Sequence, residues 1–186
     1  LTPEIKRVGA FEGLPAFPAT SRVKAVPTGP LARILFRGSP AAAASVSAVF
    51  GAPLSTVPMR AGEAGGRAAL WLGPDEWLLI GRDGEGEAIL AAIAGAVAEP
   101  HSAVDVGHRN TGLVLSGARA VDVLNAGCPL DLHPSAFPIG MCTRTLLGKA
   151  EIVLWRQAAD RFHIEGWRSF APYLLGFLAE AAREYA

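Results

Sequence analysis

The sequence is short of the side chains that carry most enzyme chemistry. It has two cysteines, Cys128 and Cys142, fourteen residues apart in a chain of 186. That separation matches no zinc spacing, and a chain of this length needs no disulfide staple. Both read as buried thiols in a reducing compartment. The four histidines, His101, His108, His133 and His163, form no helical His-x-x-x-His pair, so no metal site is expected. Charged residues make up 18% of the chain, below the ~25% of an average soluble domain. Lys plus Arg equal Asp plus Glu, so the formal net charge is zero. A neutral chain offers no electrostatic basis for binding nucleic acid. No uncharged apolar run approaches the ~18 residues of a membrane span. The stretch Leu1 to Ser21 holds charges and three prolines and no signal-peptide core, so the cytoplasm is the expected location. Walker and Gly-x-Ser-x-Gly sequences are absent. The nearest Gly-rich piece, Gly81-x-x-Gly84-x-Gly86, carries Asp83 and Glu85, which would repel phosphate.

What is present is apolar and repeated. Hydrophobic residues make up 51% of the chain, enough to bury a core. The low charge has two readings: a surface covered by a partner, or an alanine-rich composition. One pattern occurs twice. Leu31 to Arg37, Gly38, an Ala/Val-rich stretch and Gly51-x-Pro53-Leu54 precede Leu70-Trp71, Asp75-x-Trp77 and Gly81. Leu113 to Ser116, Gly117, a similar stretch and Gly127-x-Pro129-Leu130 precede Leu154-Trp155, Asp160-x-Phe162 and Gly166. Gly127 lies 76 residues after Gly51, Leu154 lies 84 after Leu70, and Gly166 lies 85 after Gly81. About eight extra residues therefore sit between Pro129 and Leu154. Such self-similarity indicates a duplicated unit.

Each copy reads as strand, helix, hairpin, helix. Ser39 and Pro40 are an N-cap and a first helical residue, and Gly51 ends that helix. Residues 60–67 read as a Gly-rich loop. A hairpin follows over 68–80, then a helix over 87–98 and a strand over 102–106. In the second copy a strand over 111–116 and a helix over 118–125 precede an irregular stretch, 132–141. Strands follow at 142–147, 150–156 and 161–165. In the last, Phe162 and Ile164 face one side and Arg161, His163 and Glu165 the other. A final helix is expected from Ser169. The fold class is α+β: two pseudo-repeated ferredoxin-like β-α-β-β-α halves, with antiparallel sheets covered by helices. The expected division is an extended arm over 1–30, a first half over 31–108 and a second over 109–186.

The candidate contact residues lie in the second copy. Asp131, His133, Arg144, Lys149 and Glu151 surround its extra segment. Arg144 with Lys149 suits a carboxylate of a ligand or partner, and equally suits solvated charge on a hairpin. Trp167-Arg168-Ser169-Phe170 has the composition of an interface core, and equally of a helix entry capped by Ser169. Asp105-x-x-His108 reads either as an acid–base pair or as a local cap by Asp105. No catalytic residue and no cofactor site is assigned.

Val104 to Arg109, Cys128-Pro129-Leu130-Asp131-Leu132, Phe137-x-x-Gly140, Arg144-Thr145-x-Leu147-Gly148-Lys149-Ala150 and Trp167 to Leu174 together resemble the gamma subunit of heterotetrameric sarcosine oxidase. The resemblance spans nearly the whole chain. It implies a fold similar to the N-terminal part of glycine-cleavage aminomethyltransferase and other folate-binding-like domains. It also implies membership of a complex with alpha, beta and delta subunits. That complex demethylates sarcosine to glycine with oxygen, giving hydrogen peroxide and, with tetrahydrofolate, methylenetetrahydrofolate. FAD, FMN, NAD and tetrahydrofolate would then be held by the alpha and beta subunits and none by this chain. Where aminomethyltransferases carry Gly-Gly and a paired Asp-Asp, this chain has Gly148-Lys149-Ala150-Glu151, so only Glu151 stands for the family acid. The alternatives are a stand-alone folate-binding-like module, with a pocket between the halves near Arg144, Glu151 and Arg168, and an aminomethyltransferase acting through Glu151.

Overall fold

The computed structural model describes residues 7–185. Residues 1–6, the start of the arm expected over 1–30, and residue 186 lie outside the described residues. The chain runs β1 (Lys24–Pro27), β2 (Ala32–Gly38), α1 (Pro40–Phe50), β3 (Ala61–Ala64), β4 (Arg67–Gly73), β5 (Glu76–Gly81), α2 (Gly86–Ala96) and β6 (His101–Asp105). Then come β7 (Asn110–Ser116), α3 (Ala120–Asn125), β8 (Cys142–Leu147), β9 (Ala150–Ala158), β10 (Arg161–Trp167) and α4 (Ala171–Ala182). They form two five-stranded antiparallel sheets, β3-β4-β5-β2-β6 and β8-β9-β10-β7-β1. The orders correspond strand for strand, with β1 in the place of β6. A strand from ahead of the first copy thus completes the sheet of the second.

Local chemistry explains the helix the sequence marks best. Ser39 accepts the Ala42 N–H at 3.2 Å and Pro40 opens α1. Gly51 closes it in the left-handed region at φ 77°. Ser47 Oγ then donates to the Ala43 carbonyl at 2.7 Å and accepts the Leu54 N–H at 2.8 Å, which fixes the exit through Pro53. Residues 60–67 depart from the loop expected there. They form β3 and a two-residue turn in which Gly65 and Gly66 hold φ 59° and 79°. Two left-handed residues suit the twist of a tight hairpin.

The layers follow from one-sided burial. Phe36, Trp77 and Leu79 of the first sheet pack on Val46, Phe50 and Ile93 of α1 and α2. Leu154, Phe162 and Ile164 of the second pack on Val123 of α3 and on Leu174 and Leu178 of α4. The remaining faces meet each other, Leu70, Leu78 and Ile80 against Cys142 and Trp155. The result is an α-β-β-α stack.

Strand parity corrects one detail of the repeat. Leu70 pairs with Leu78, and Trp155 pairs with His163. Leu78 and His163 each lie three residues before a matching glycine, Gly81 and Gly166. Trp155 is therefore the partner of Leu70, not of Trp71. A slip of one residue turns a strand residue to the other face, and Leu154 accordingly faces the helices.

The two copies touch about their pseudo-twofold axis. Arg60 and Met141 form an antiparallel bridge. The Ala61 N–H donates to the Gly140 carbonyl and the Cys142 N–H to the Met59 carbonyl, each at 2.9 Å. Both residues before the bridge are left-handed, Gly140 at φ 82° and Met59 at φ 60°. In a non-glycine residue that conformation costs roughly 1–2 kcal/mol.

A buried ion pair crosses the inter-sheet layer. Arg33 of β2 grips Glu165 of β10 through Nε at 2.6 Å and Nη2 at 2.9 Å. His163 Nε2 lies 2.7 Å from Glu165 Oε1. All three residues are buried. The polar side of β10 read from the sequence is thus internal at two of its three residues, because the second sheet faces the first rather than water. Gly112 of β7 makes the room: a Cβ there would stand 2.4 Å from Glu165 Oε1. Burial pushes the Glu165 carboxyl up. The His163 hydrogen bond and charge and the Arg33 guanidinium outweigh it, and the carboxyl titrates below its usual range.

Two outcomes follow from these positions. Met59→Gly raises the unfolding free energy by up to about 1 kcal/mol, where glycine at an ordinary position lowers it; urea titration reads the sign, and a clear loss contradicts the strain at this turn. Glu165→Gln leaves Arg33 buried without its anion and costs about 3–5 kcal/mol. The wild-type contribution of Glu165 is complete above the unfolded carboxyl pKa of about 4.3 and is lost as pH falls through the lowered folded value. Urea midpoints measured from pH 7 downward should therefore drop more steeply for wild type than for Glu165→Gln.

Candidate functional site

The polar and aromatic residues of the second copy gather where β10 runs into α4. β10 ends at Trp167, a 3-10 turn spans Arg168–Phe170, and α4 begins at Ala171. No side chain caps either helical start, so Ser169 is not the N-cap read from the sequence. The turn leaves a row of aromatic rings at the surface: Trp167 is 46% exposed, Phe170 37% and Tyr173 36%. The Trp167 and Phe170 centroids are 6.3 Å apart. The Arg109 guanidinium sits 5.8 Å over the Trp167 ring. The Arg168 N–H donates to the Arg109 carbonyl at 2.7 Å, which ties the turn to the start of β7.

Three of the residues singled out in the sequence meet here. Arg144, Glu151 and Trp167 line one cleft between the sheets, with Arg109 and Glu165. Its volume is about 40 Å³, little more than the ~30 Å³ share of one water. Arg144 closes it by reaching across to Glu76 of the other sheet, Nη2 to Oε1 at 2.5 Å and Nη1 to Oε2 at 3.2 Å. This bidentate pair joins the halves. Lys149 lies in the β8–β9 turn, where its backbone N–H donates to Tyr173 Oη at 2.9 Å. Arg168 does not reach the cleft; its Nη2 donates to the Val8 carbonyl at 2.5 Å and so holds the N-terminal segment.

The remaining candidates make local bonds. Asp131 accepts the His133 N–H at 2.9 Å, and His133 Nδ1 lies 2.7 Å from Ser135 Oγ. Asp105 accepts the Gly107 N–H at 2.7 Å, which is the local cap. Burial pushes the Cys142 thiol up to about 12, with the Trp71 carbonyl and Arg60 offsetting only part, so it stays protonated and unreactive near neutrality. Among the described residues, no group of three or more His, Cys, Asp or Glu is placed to hold a metal ion.

Sequence reasoning missed two buried arginines. Arg33 anchors the inter-sheet pair. Arg156 donates to the Leu132 and Phe137 carbonyls at 3.0 and 2.8 Å and stacks 5.1 Å over Phe162, which pins the extra segment of the second copy. The signal is partial: Arg33 sits among the apolar residues of β2, which also carries the exposed Arg37, and Arg156 directly follows the apolar run Ile152 to Trp155.

Comparison with known proteins agrees with this geometry. The sarcosine oxidase gamma subunit family matches over residues 37–184. A sarcosine oxidase subunit gamma from Arthrobacter sp. is 38% identical over 128 residues, covering 68% of this chain and 62% of the relative. The chain thus spans under two thirds of that relative's length. One from Corynebacterium sp. (strain P-1) is 34% identical over 171 residues, 92% of this chain and 79% of the relative. Among solved structures, a chain of the heterotetrameric sarcosine oxidase from Corynebacterium sp. U-96, in complex with pyrrole 2-carboxylate, superposes with a TM-score of 0.83. It shares 30% identity over 90% of this chain and 87% of that one. Glycine cleavage system aminomethyltransferase T from Bartonella henselae superposes at 0.63 with 16% identity, covering 85% of this chain and 46% of that one; it shares the fold. The duplicated α+β stack and the match over both its halves place this chain in the sarcosine oxidase gamma subunit family.

Proposed function

We propose that this chain is a non-catalytic accessory subunit of a heterotetrameric sarcosine oxidase, assembled with alpha, beta and delta subunits in the cytoplasm. The complex demethylates sarcosine to glycine with formation of hydrogen peroxide and methylenetetrahydrofolate. Its FAD, FMN, NAD and tetrahydrofolate bind the partner subunits. The observation that carries this reading is the 0.83 superposition on a chain of a heterotetrameric sarcosine oxidase over 90% of the sequence. The site's geometry supports it. Glu151, which stands for the acid of aminomethyltransferases, lines a cleft of about 40 Å³ that Arg144 and Glu76 hold shut. A substrate does not enter such a space.

The docking face in this reading is the row Trp167, Phe170 and Tyr173 with Arg109 and Arg168. Exposed aromatic rings beside arginine are the composition of interface hot spots. No helix among the described residues is long and apolar enough to cross a membrane. The rings stand partly exposed at the end of β10, in the 3-10 turn and at the start of α4, and such rings suit burial against another protein.

Co-expression with the alpha, beta and delta chains tests both parts. Trp167→Ala weakens assembly by about 30-fold, the effect of losing roughly 2 kcal/mol at a hot spot, with no change in the melting of the isolated chain. Glu151→Gln leaves the sarcosine oxidation rate of the assembled complex unchanged. A complex that purifies fully active and equally stable without this chain contradicts the accessory role, and a rate collapse in Glu151→Gln contradicts its non-catalytic character.

A further inference from the structure

The duplication creates two equivalent clefts between the sheets, and only one of them is closed. Around the closed cleft stand Leu35, Leu78 and Glu165 to Trp167. Their counterparts in the other copy are Val114, His163 and Ile80 to Arg82, as the cross-strand pairs Leu35–Leu78 and Val114–His163 require. Those counterparts line a groove of about 730 Å³. The same correspondence maps Glu76 onto Arg161, the first residues of β5 and β10. It maps Arg144 onto Glu63: Cys142 pairs with Trp155 as Ala61 pairs with Leu70, and each charged residue lies two further along.

The bridge that shuts one cleft therefore has a mirror in the other, with the charges exchanged. There it is not made. Arg161 Nε donates to Gln157 Oε1 at 3.0 Å instead of to Glu63. Partial burial of Glu63 lifts its carboxyl above the usual range. Both residues line the groove.

What the open groove displays is cationic at the rim and apolar at the floor. Lys24, Arg82 and Arg161 line it without a salt bridge to any described residue. Glu63 is its one lining carboxylate. Val26, 53% exposed, faces the groove from β1, with Val114, Ile80 and the buried Trp155 behind it. Among the described residues, none accepts the Trp155 Nε1–H. β1 is also a sheet edge. It pairs with β7 on one side only, so its outer backbone groups are open to an added strand.

We propose that this groove receives an extended, acidic segment of a partner subunit. The segment lays an apolar side chain against Val26 and sets its carboxylates on Lys24, Arg82 and Arg161. Charge complementarity selects the occupant: three exposed cations, of which Arg82 and Arg161 hold only the neutral Gly65 carbonyl and Gln157, surround an exposed valine and match alternating acidic and apolar residues. A free strand edge favours a polypeptide over a small anion. The inference rests on the subunit reading and adds a second contact, chemically unlike the aromatic row at Trp167.

The test uses the full chain co-expressed with the alpha, beta and delta chains. Wild type is compared with the triple variant Lys24→Glu, Arg82→Glu, Arg161→Glu, and a photo-crosslinker is placed by Val26→p-benzoylphenylalanine. The expected results are at least about tenfold weaker assembly of the triple variant, salt-sensitive assembly of wild type, and a crosslink into an Asp/Glu-rich stretch of one partner. All three reversed residues are exposed at the surface, so circular dichroism of the variant should match wild type; the crosslink needs no charge reversal and stands independently. Unchanged affinity of the triple variant, or a crosslink to a stretch without acidic residues, overturns the groove proposal alone. A complex that assembles without any crosslink, while native mass spectrometry finds a small anion on the chain, overturns it in favour of a ligand site. Failure of wild type to assemble contradicts the subunit reading itself, and the groove proposal falls with it.

Discussion

An antiparallel sheet has two faces, and in each half of this chain the helices cover one of them. The other faces are apolar and have only each other to meet. That mutual burial, Leu70, Leu78 and Ile80 against Cys142 and Trp155, sets most of what surrounds it. It fixes the pseudo-twofold axis through the Arg60–Met141 bridge. It forces His163 and Glu165 inside, and so requires Arg33 as a counter-charge and Gly112 as space. It also creates the clefts at its two ends. Without this layer the halves would be two small units, each with an exposed apolar face.

Function, in this account, lies where the copies stop matching. The Arg33–Glu165 pair occurs once, with Gly112 and Ile80 at the equivalent positions, so it cements the stack without marking a site. Arg144 and Glu76 shut one cleft, while Glu63 and Arg161 leave its counterpart open. The aromatic row exists in one copy, because β10 ends on Trp167 where β5 ends near Arg82. A duplicated scaffold has thus gained two unlike surfaces, one aromatic and one cationic, and neither has the enclosed volume or converging reactive groups of an active centre. Such a chain suits contact with other proteins.

Much of the fold was legible wherever a local rule decides the outcome. Ser39, Pro40 and Gly51 delimit α1 in the sequence as in the structure. The hairpins and the one-sided face of α4 follow from turn residues and periodicity. What escaped depended on distant partners. Nothing local shows that Lys24–Pro27 closes the sheet of the other copy. Ser169 looks like a cap, but a 3-10 turn takes its place. Leu70-Trp71 and Leu154-Trp155 match as letters, yet parity puts Leu70 with Trp155. The site was partly legible: Arg144, Glu151 and Trp167 do converge. The groove was not, since its lining comes from seven strands and from turns that no spacing rule connects.

If both unlike surfaces serve assembly, both are covered in the complex. Hydrogen exchange of the chain alone and within the co-expressed complex tests it most directly, because backbone amides report burial without any substitution. Slowed exchange is expected in two places, residues 167–173 and the outer edge of β1, with the inter-sheet layer equally protected in both states. Unchanged exchange at both places in the assembled complex would contradict it.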